Sequence, residues 1–176
     1  FHRVLGDGGA RQYRFIHSRE GYGDAILSSH QLLAGDAMLI FSHSGLNAVT
    51  LDIAVGAKER GMKVIGVTSV PHSSSTPSRH SCGKRLYELA DVVIDTGVPK
   101  GDAGLEIDGL KGRVGATSTS IAIAIGQAIN AATAQKMMDK GYEPFIMVSP
   151  NTTEKAAADV QNDRNYAELW RRLKMR

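Results

Sequence analysis

The richest concentration of chemically able groups in this 176-residue sequence is Ser42-His43-Ser44-Gly45, between an apolar run and a helical stretch that begins near Asn47. Two hydroxyls, an imidazole and free backbone N–H groups at a helix start form a set of donors that suits an anion, because the helix dipole adds positive potential there. The same hydroxyls also suit N-capping of the helix. A second run, Thr117-Ser118-Thr119-Ser120, opens a long apolar helix. Two further segments, "VPHSSSTPSRHS" at 70–81 and Gly97 to Gly101, are rich in hydroxyls or small residues. Together they hold more hydroxyls than two helix caps require. Many donors without a fixed positive charge can surround a phosphate. No Walker-type Gly-x-x-x-x-Gly-Lys-Ser/Thr is present, and no Gly-x-Gly-x-x-Gly follows a strand, so nucleotide binding loses support.

These loops need elements to hold them. Residues 21–32 read as a helix, and 36–42 as a short apolar run bounded by Gly35 and Ser42-His43-Ser44, which suits a buried strand. Residues 47–61 place Val49, Ile53 and Ala57 at four-residue spacing and end at Gly61, which predicts an amphipathic helix. The cycle repeats as strand 63–69, loop 70–81, helix 83–90 and strand 91–96. "LEI" and "GRV" within the Gly-rich stretch 97–116 predict a small hairpin. A helix over 117–140, a strand over 144–149 and a helix within 152–174 complete the chain. Alternating strands and helices predict a parallel sheet with helices on both faces. Loops that follow parallel strands gather at the carboxyl edge, where ligands bind at the topological switch point.

A hydrophobic fraction of 42% with 22% charged residues predicts one globular domain over 1–176. A chain of this size buries roughly 70% of its unfolded surface and needs no staple. Cys82 is the only cysteine, so no internal disulfide forms, and a reducing cytoplasmic setting is favoured. The net charge of +3 is mild. Its one basic cluster, "RRLKMR" at the end, reads as solvated, so no nucleic-acid partner is expected. The apolar stretch 121–134 falls short of the roughly 18 to 20 residues that cross a bilayer, so no membrane partner is expected either. The first ten residues lack the apolar core of a signal peptide. The absence of His-x-x-x-His or paired-Cys spacing argues against a metal site, and no cofactor is implied.

The order strand 37–42, loop "SHSG", helix 47–61, strand 63–69 resembles the sugar isomerase (SIS) domain, a flavodoxin-like three-layer α/β sandwich with a parallel sheet that binds phosphorylated sugars. The runs "PSRHSCGKRLYELADVVIDTGVPKGDAGLEIDGL" and "VGATSTSIAIAIGQAINA" are similar to its bacterial UPF0309 branch. The resemblance covers about residues 21 to 150. It implies that Ser42, His43, Ser44 and Asn47 hold the sugar phosphate, and Thr117, Ser118 and Thr119 at the start of the long helix are expected to bind that phosphate with them. Leu46 departs from the polar residues common at its position. The resemblance also implies an earlier helix, strand and hydroxyl-bearing turn that do not appear before residue 36. With Phe1 in place of a methionine, the chain is expected to be truncated at its amino end.

Aldose–ketose isomerisation needs a base to move a proton between adjacent carbons and an acid or base to open the ring. The candidates are His80, as a direct participant or as a histidine that shapes its loop, and the carboxylates of Asp102 and Glu106. Asp102 equally suits a turn. His72 is a weaker candidate, and Arg79 could meet a phosphate or brace a surface carboxylate. The implied functions are isomerisation of an aldose/ketose or amino-sugar phosphate, non-catalytic sensing of a phosphosugar, or etherase-like cleavage of a muramic-acid phosphate. A helix apolar nearly all round, as 117–140 is, must be enclosed by its own chain or by a partner copy in a homodimer or higher oligomer.

Overall fold

The computed structural model describes residues 9–149, 151 and 154–174, which form two compact units, one through Ala124 and one from Ile125. His2 and the end of the basic tail lie outside the described residues.

The first unit runs α1 (Gly9–Ile16), α2 (Tyr22–Ser28), β1 (Ala37–Phe41), α3 (Ala48–Glu59), β2 (Lys63–Thr68), α4 (Val70–Ser74), α5 (Leu86–Leu89), β3 (Val92–Asp95), β4 (Ala103–Leu105) and β5 (Val114–Ala116). It also holds the start of α6 (Ser118–Asp139). The strands β1, β2 and β3 pair in parallel in that order, with Ile40 beside Gly66 and Gly66 beside Val93. Helices α3 and α5 pack on this sheet and bury one face of it. Ile40 and Val64 from the strands meet Leu51, Ala54 and Ala57 from α3 and Leu86 from α5. The small alanines let α3 lie close to the strands. Leu39, Phe41 and Val92 remain exposed. α2 approaches α3 more tightly than most helix pairs. A Cβ added at Gly23 would fall 2.3 Å from the Asp52 Cβ, so only glycine fits there.

Among the described residues the order β1-β2-β3 shows no reversal. The expectation that the loops after these strands gather at the carboxyl edge is met.

Several elements differ from the sequence reading. α1 is a helix where only a polar opening was expected. α2 stops at Ser28, well short of residue 32, because the Ser29 hydroxyl and the His30 ring both bond to the Ile26 carbonyl and close the turn. The segment expected as a loop begins with α4, capped by the Ser69 hydroxyl, which accepts from the His72 amide at 3.1 Å. The hairpin strands are centred two residues outside the expected "LEI" and "GRV" centres, with Leu105 opposite Val114.

The second unit comprises the rest of α6 and α7 (Lys155–Lys174). The strand expected over 144–149 does not form. Its backbone bonds to side chains instead: Asn162 takes the Val148 amide at 2.9 Å and gives to the Val148 carbonyl at 3.0 Å, while Asn165 gives to the Ile146 carbonyl at 2.7 Å. No residue of α6 is buried, so the enclosure expected for so apolar a helix is not supplied by the described residues. Among those residues no helix is long and apolar enough to cross a membrane.

The contrast between the two sheet faces is testable. Leu51→Ala removes a fully buried side chain from the core and should cost about 2–5 kcal/mol in urea unfolding. Leu39→Ala, on the exposed face, should cost far less.

Candidate functional site

The site begins where β1 ends. The Ser42 amide still bonds to the Val67 carbonyl at 3.0 Å, continuing the ladder. The His43 carbonyl is then captured twice, by the Ser69 amide at 3.0 Å and the Thr68 hydroxyl at 3.2 Å. Gly45 turns the chain at φ +59°, and a Cβ there would meet the Thr68 hydroxyl at 2.9 Å and the Leu86 Cβ at 3.0 Å. Its carbonyl accepts the Leu86 amide at 2.9 Å, and its amide gives to the Ser42 hydroxyl at 3.2 Å. The loop is therefore fixed by β2 beneath it and α5 beside it.

Asn47 is the N-cap residue of α3, yet its side chain makes no capping bond to the helix. Its Oδ1 accepts instead from the Arg79 guanidinium at 3.3 Å. A helix start without a side-chain cap, its Val49 amide given to the His17 carbonyl at 3.2 Å, and a guanidinium thus stand beside the Ser-His-Ser-Gly loop. A cleft of about 370 Å³ opens there, lined by Ser42, His43, Ser44 and Asn47 together with Tyr13 of α1 and His17 just after it. Of the seven residues expected to hold a phosphate, Ser42, His43, Ser44 and Asn47 border it, and Thr117, Ser118 and Thr119 do not. Leu46, the residue that departs from the SIS pattern, is 1% exposed and belongs to the core.

A second cluster forms around Asp102, whose backbone lies in the left-handed region at φ 70°. Its carboxylate accepts from the Thr117 amide at 3.0 Å, the Ser118 amide at 2.7 Å and the Ser118 hydroxyl at 2.6 Å. Burial opposes its ionisation, but the Ser118 hydroxyl, the two amides and the nearby His43 outweigh that and lower its pKa. The place an anion would take at the start of α6 is therefore filled by this chain's own carboxylate. Thr119 is exposed beside it.

His80 lies elsewhere. Its Nε2 is 2.9 Å from Asp52 Oδ1 and 3.8 Å from Glu20, and its Nδ1 accepts from the Cys82 amide at 3.0 Å. Asp52, buried in α3, also accepts the Gly23 amide at 3.1 Å. The pair braces α2, α3 and the 78–82 loop, with both nitrogens of the ring engaged. Glu106 follows β4 on the hairpin, pairs with Arg113 and is largely exposed. Neither residue borders the cleft.

The sequence underrated His72. Its ring meets that of His43 edge to face, with centroids 4.5 Å apart and planes at 69°. Its Nδ1 accepts from the Gly101 amide at 3.1 Å, which places the proton of the neutral ring on Nε2. Burial, then the neighbouring His43 and Lys100, lower its pKa against the opposing pull of Asp102, with Arg79 adding a smaller downward push. Its spacing from Ser69, the N-cap of α4, was the available signal. Among the described residues no three His, Cys, Asp or Glu side chains converge as a metal set would.

Comparison with known proteins bears on the family of the chain. Residues 2–69 match the family model of the SIS domain. The chain is 39% identical over 154 residues to a UPF0309 protein of Halalkalibacterium halodurans, covering 88% of this chain and 62% of the relative. It is 40% identical over 132 residues to one of Streptomyces coelicolor, covering 75% and 53%. A UPF0309 protein of Oceanobacillus iheyensis is 50% identical over 102 residues, covering 58% and 42%. The chain thus spans less than two thirds of the length of these curated relatives.

Two outcomes check the assigned geometry. Because the Asp102 pKa is lowered by folding, its contribution to stability is present above the unfolded carboxylate value near 3.8 and is lost as pH falls through the lower folded value. Asp102→Asn should flatten that acid limb in a series of unfolding curves between pH 2 and 6. His80→Ala leaves the buried Asp52 carboxylate without one of its partners and should cost about 1–3 kcal/mol in denaturant unfolding.

Proposed function

This chain is a SIS-domain protein of the UPF0309 family, and on that premise we propose that its cleft binds a phosphorylated sugar and isomerises an aldose/ketose or amino-sugar phosphate. The observation that carries the reading is the convergence of Ser42, His43, Ser44 and Asn47 on one cleft beside the start of α3, which has no side-chain cap. Hydroxyl and backbone donors with a helix dipole suit a phosphate dianion. Arg79, already bonded to Asn47, supplies a guanidinium and favours a charged ligand over its neutral parent.

The sugar occupies the remainder of the cleft, toward Tyr13 and His17. Phosphate binding then provides remote binding energy that holds the reacting carbons in place. In this reading Asp102 serves as the cap of α6 and His80 as a brace, so proton transfer falls to a group beside the cleft. The uncovered apolar surface of α6 supports association into a homodimer. Light scattering after size exclusion tests that part, and a monomer at working concentration would refute it.

The binding reading is tested by calorimetry and thermal shift with glucose 6-phosphate, fructose 6-phosphate and N-acetylglucosamine 6-phosphate, each against its parent sugar. A phosphosugar at a hundred times its Kd should stabilise the fold by about 2.7 kcal/mol, and the parent sugar should give little. Ser44→Ala should weaken phosphosugar binding by about 0.5–1.5 kcal/mol. Equal responses to phosphorylated and parent sugars would sink the phosphate argument. Binding without any change in the sugar would favour a sensing module, and loss of a lactyl group from a muramic-acid phosphate would mark a lyase.

A further inference from the structure

We propose that His43 is the proton-transferring residue of the cleft and that His72 is its positioning residue. The proposal rests on the phosphosugar reading and names the group that performs its central step.

Three observations converge on this pair. Both ring nitrogens of His43 are shielded from solvent and have no hydrogen-bond partner, although the residue borders the cleft. A shielded imidazole nitrogen without a partner carries a free-energy cost that an incoming donor or acceptor removes. Evolution of a loop for phosphate binding alone would not require a ring that no protein group satisfies. Second, His72 holds its edge-to-face position because the Gly101 amide fixes its Nδ1. That bond is lost if Nδ1 takes a proton, so His72 stays neutral while His43 changes state. Third, the Asp102 carboxylate lies close enough for its charge and that of His43 to interact, so a proton gained by His43 is balanced by a fixed negative charge. The charged groups that face the pair are Lys100 and Arg79 as cations and Asp102 as the anion.

A ligand seated against Ser42, Ser44 and Asn47 lies beside the His43 ring, and a turn about its Cα–Cβ bond brings a nitrogen to the sugar. The ring then takes the proton from C2 of the open-chain aldose. The C2–H electrons form the C1=C2 double bond while the carbonyl pair moves onto O1. The imidazolium returns its proton to C1, the O2 hydroxyl proton passes to O1, and the ketose results with no net gain or loss of electrons. Asp102 stabilises the imidazolium between the two transfers, and His72 sets the resting position from which the ring turns and to which it returns.

The test follows hydrogen exchange at C1 and C2 by proton NMR, with fructose 6-phosphate and N-acetylglucosamine 6-phosphate in D2O and the complete chain. The wild type should wash deuterium into the sugar. His43→Asn should slow this by about 10²–10⁴-fold, the range of a general base, far beyond the weakening of phosphosugar binding that calorimetry registers for the loss of one cleft residue. In His72→Asn the side-chain oxygen can replace Nδ1 at the Gly101 amide. The edge-to-face contact with His43 is nevertheless lost, so exchange should fall at unchanged phosphosugar affinity, and His72→Phe, which restores an aromatic edge, should recover part of it; a merely structural role for His72 would move affinity and exchange together. Should His43→Asn not fold, ring-proton spectra of the wild type decide. Added phosphosugar should move the His43 and His72 signals and leave that of His30 unmoved. Binding with wild-type exchange in His43→Asn, or unmoved His43 signals, overturns the assignment and leaves the binding reading intact. No binding by the wild type overturns the binding reading itself, and the assignment with it.

Discussion

One buried serine holds the carboxyl edge of the sheet together. Ser69 is fully buried where β2 ends, and each of its polar groups reaches a different loop. Its amide gives to the His43 carbonyl, its hydroxyl gives to the Val98 carbonyl at 2.6 Å, and the same oxygen accepts from the His72 amide. The loop after β1, the helical turn after β2 and the segment after β3 are thereby tied at one point. A hydroxyl is suited to this because it donates once and accepts as well. In a shielded setting each of these bonds is costly to lose. The relative placement of His43 and His72 is a consequence of this tie.

The core beneath explains why the tie can be so exact in position. β2 is the middle strand and carries Val64 and Val67 at or near zero exposure, with Gly66 beneath Leu86 of α5. α5 then reaches the site again through the Leu86 amide, bonded to the Gly45 carbonyl. One residue thus packs the core with its side chain and fixes the candidate ligand loop with its backbone. α3 has a similar double use. Its inner face gives Leu51, Ala54 and Ala57 to the core, and its first turn stands at the cleft.

Much of this was legible from local pattern. Short apolar runs bounded by glycine or hydroxyl residues located all three parallel strands, and Gly61 and Gly141 marked helix ends, both with positive φ. The Ser-His-Ser-Gly loop was legible because the residues that shape it are adjacent in sequence. What stayed hidden depends on distant partners. Residues 144–149 have the composition of a strand, but a strand needs a neighbour, and asparagine side chains of α7 take its backbone groups instead. His80 looked available in its loop, while its partner Asp52 lies 28 residues away. Thr117 and Ser118 offered free amides until Asp102, 15 and 16 residues earlier, folded back onto them. The order of the strands, which decides whether a sheet has a switch point, leaves no mark in local composition.

The carboxylate folded onto α6 also sets the charge capacity of this edge. Two helices of more than three turns begin near it, α3 and α6, and each start could in principle face one anion. The α6 start is neutralised from within by Asp102, whereas the α3 start has no side-chain cap and gives its Val49 amide to the His17 carbonyl, which carries no charge. Under the proposed function the edge is monovalent: it has room for one phosphate dianion. A bisphosphate would bring its second charge against a fixed carboxylate, so discrimination between singly and doubly phosphorylated sugars is built into the fold by repulsion, without a contact to either sugar.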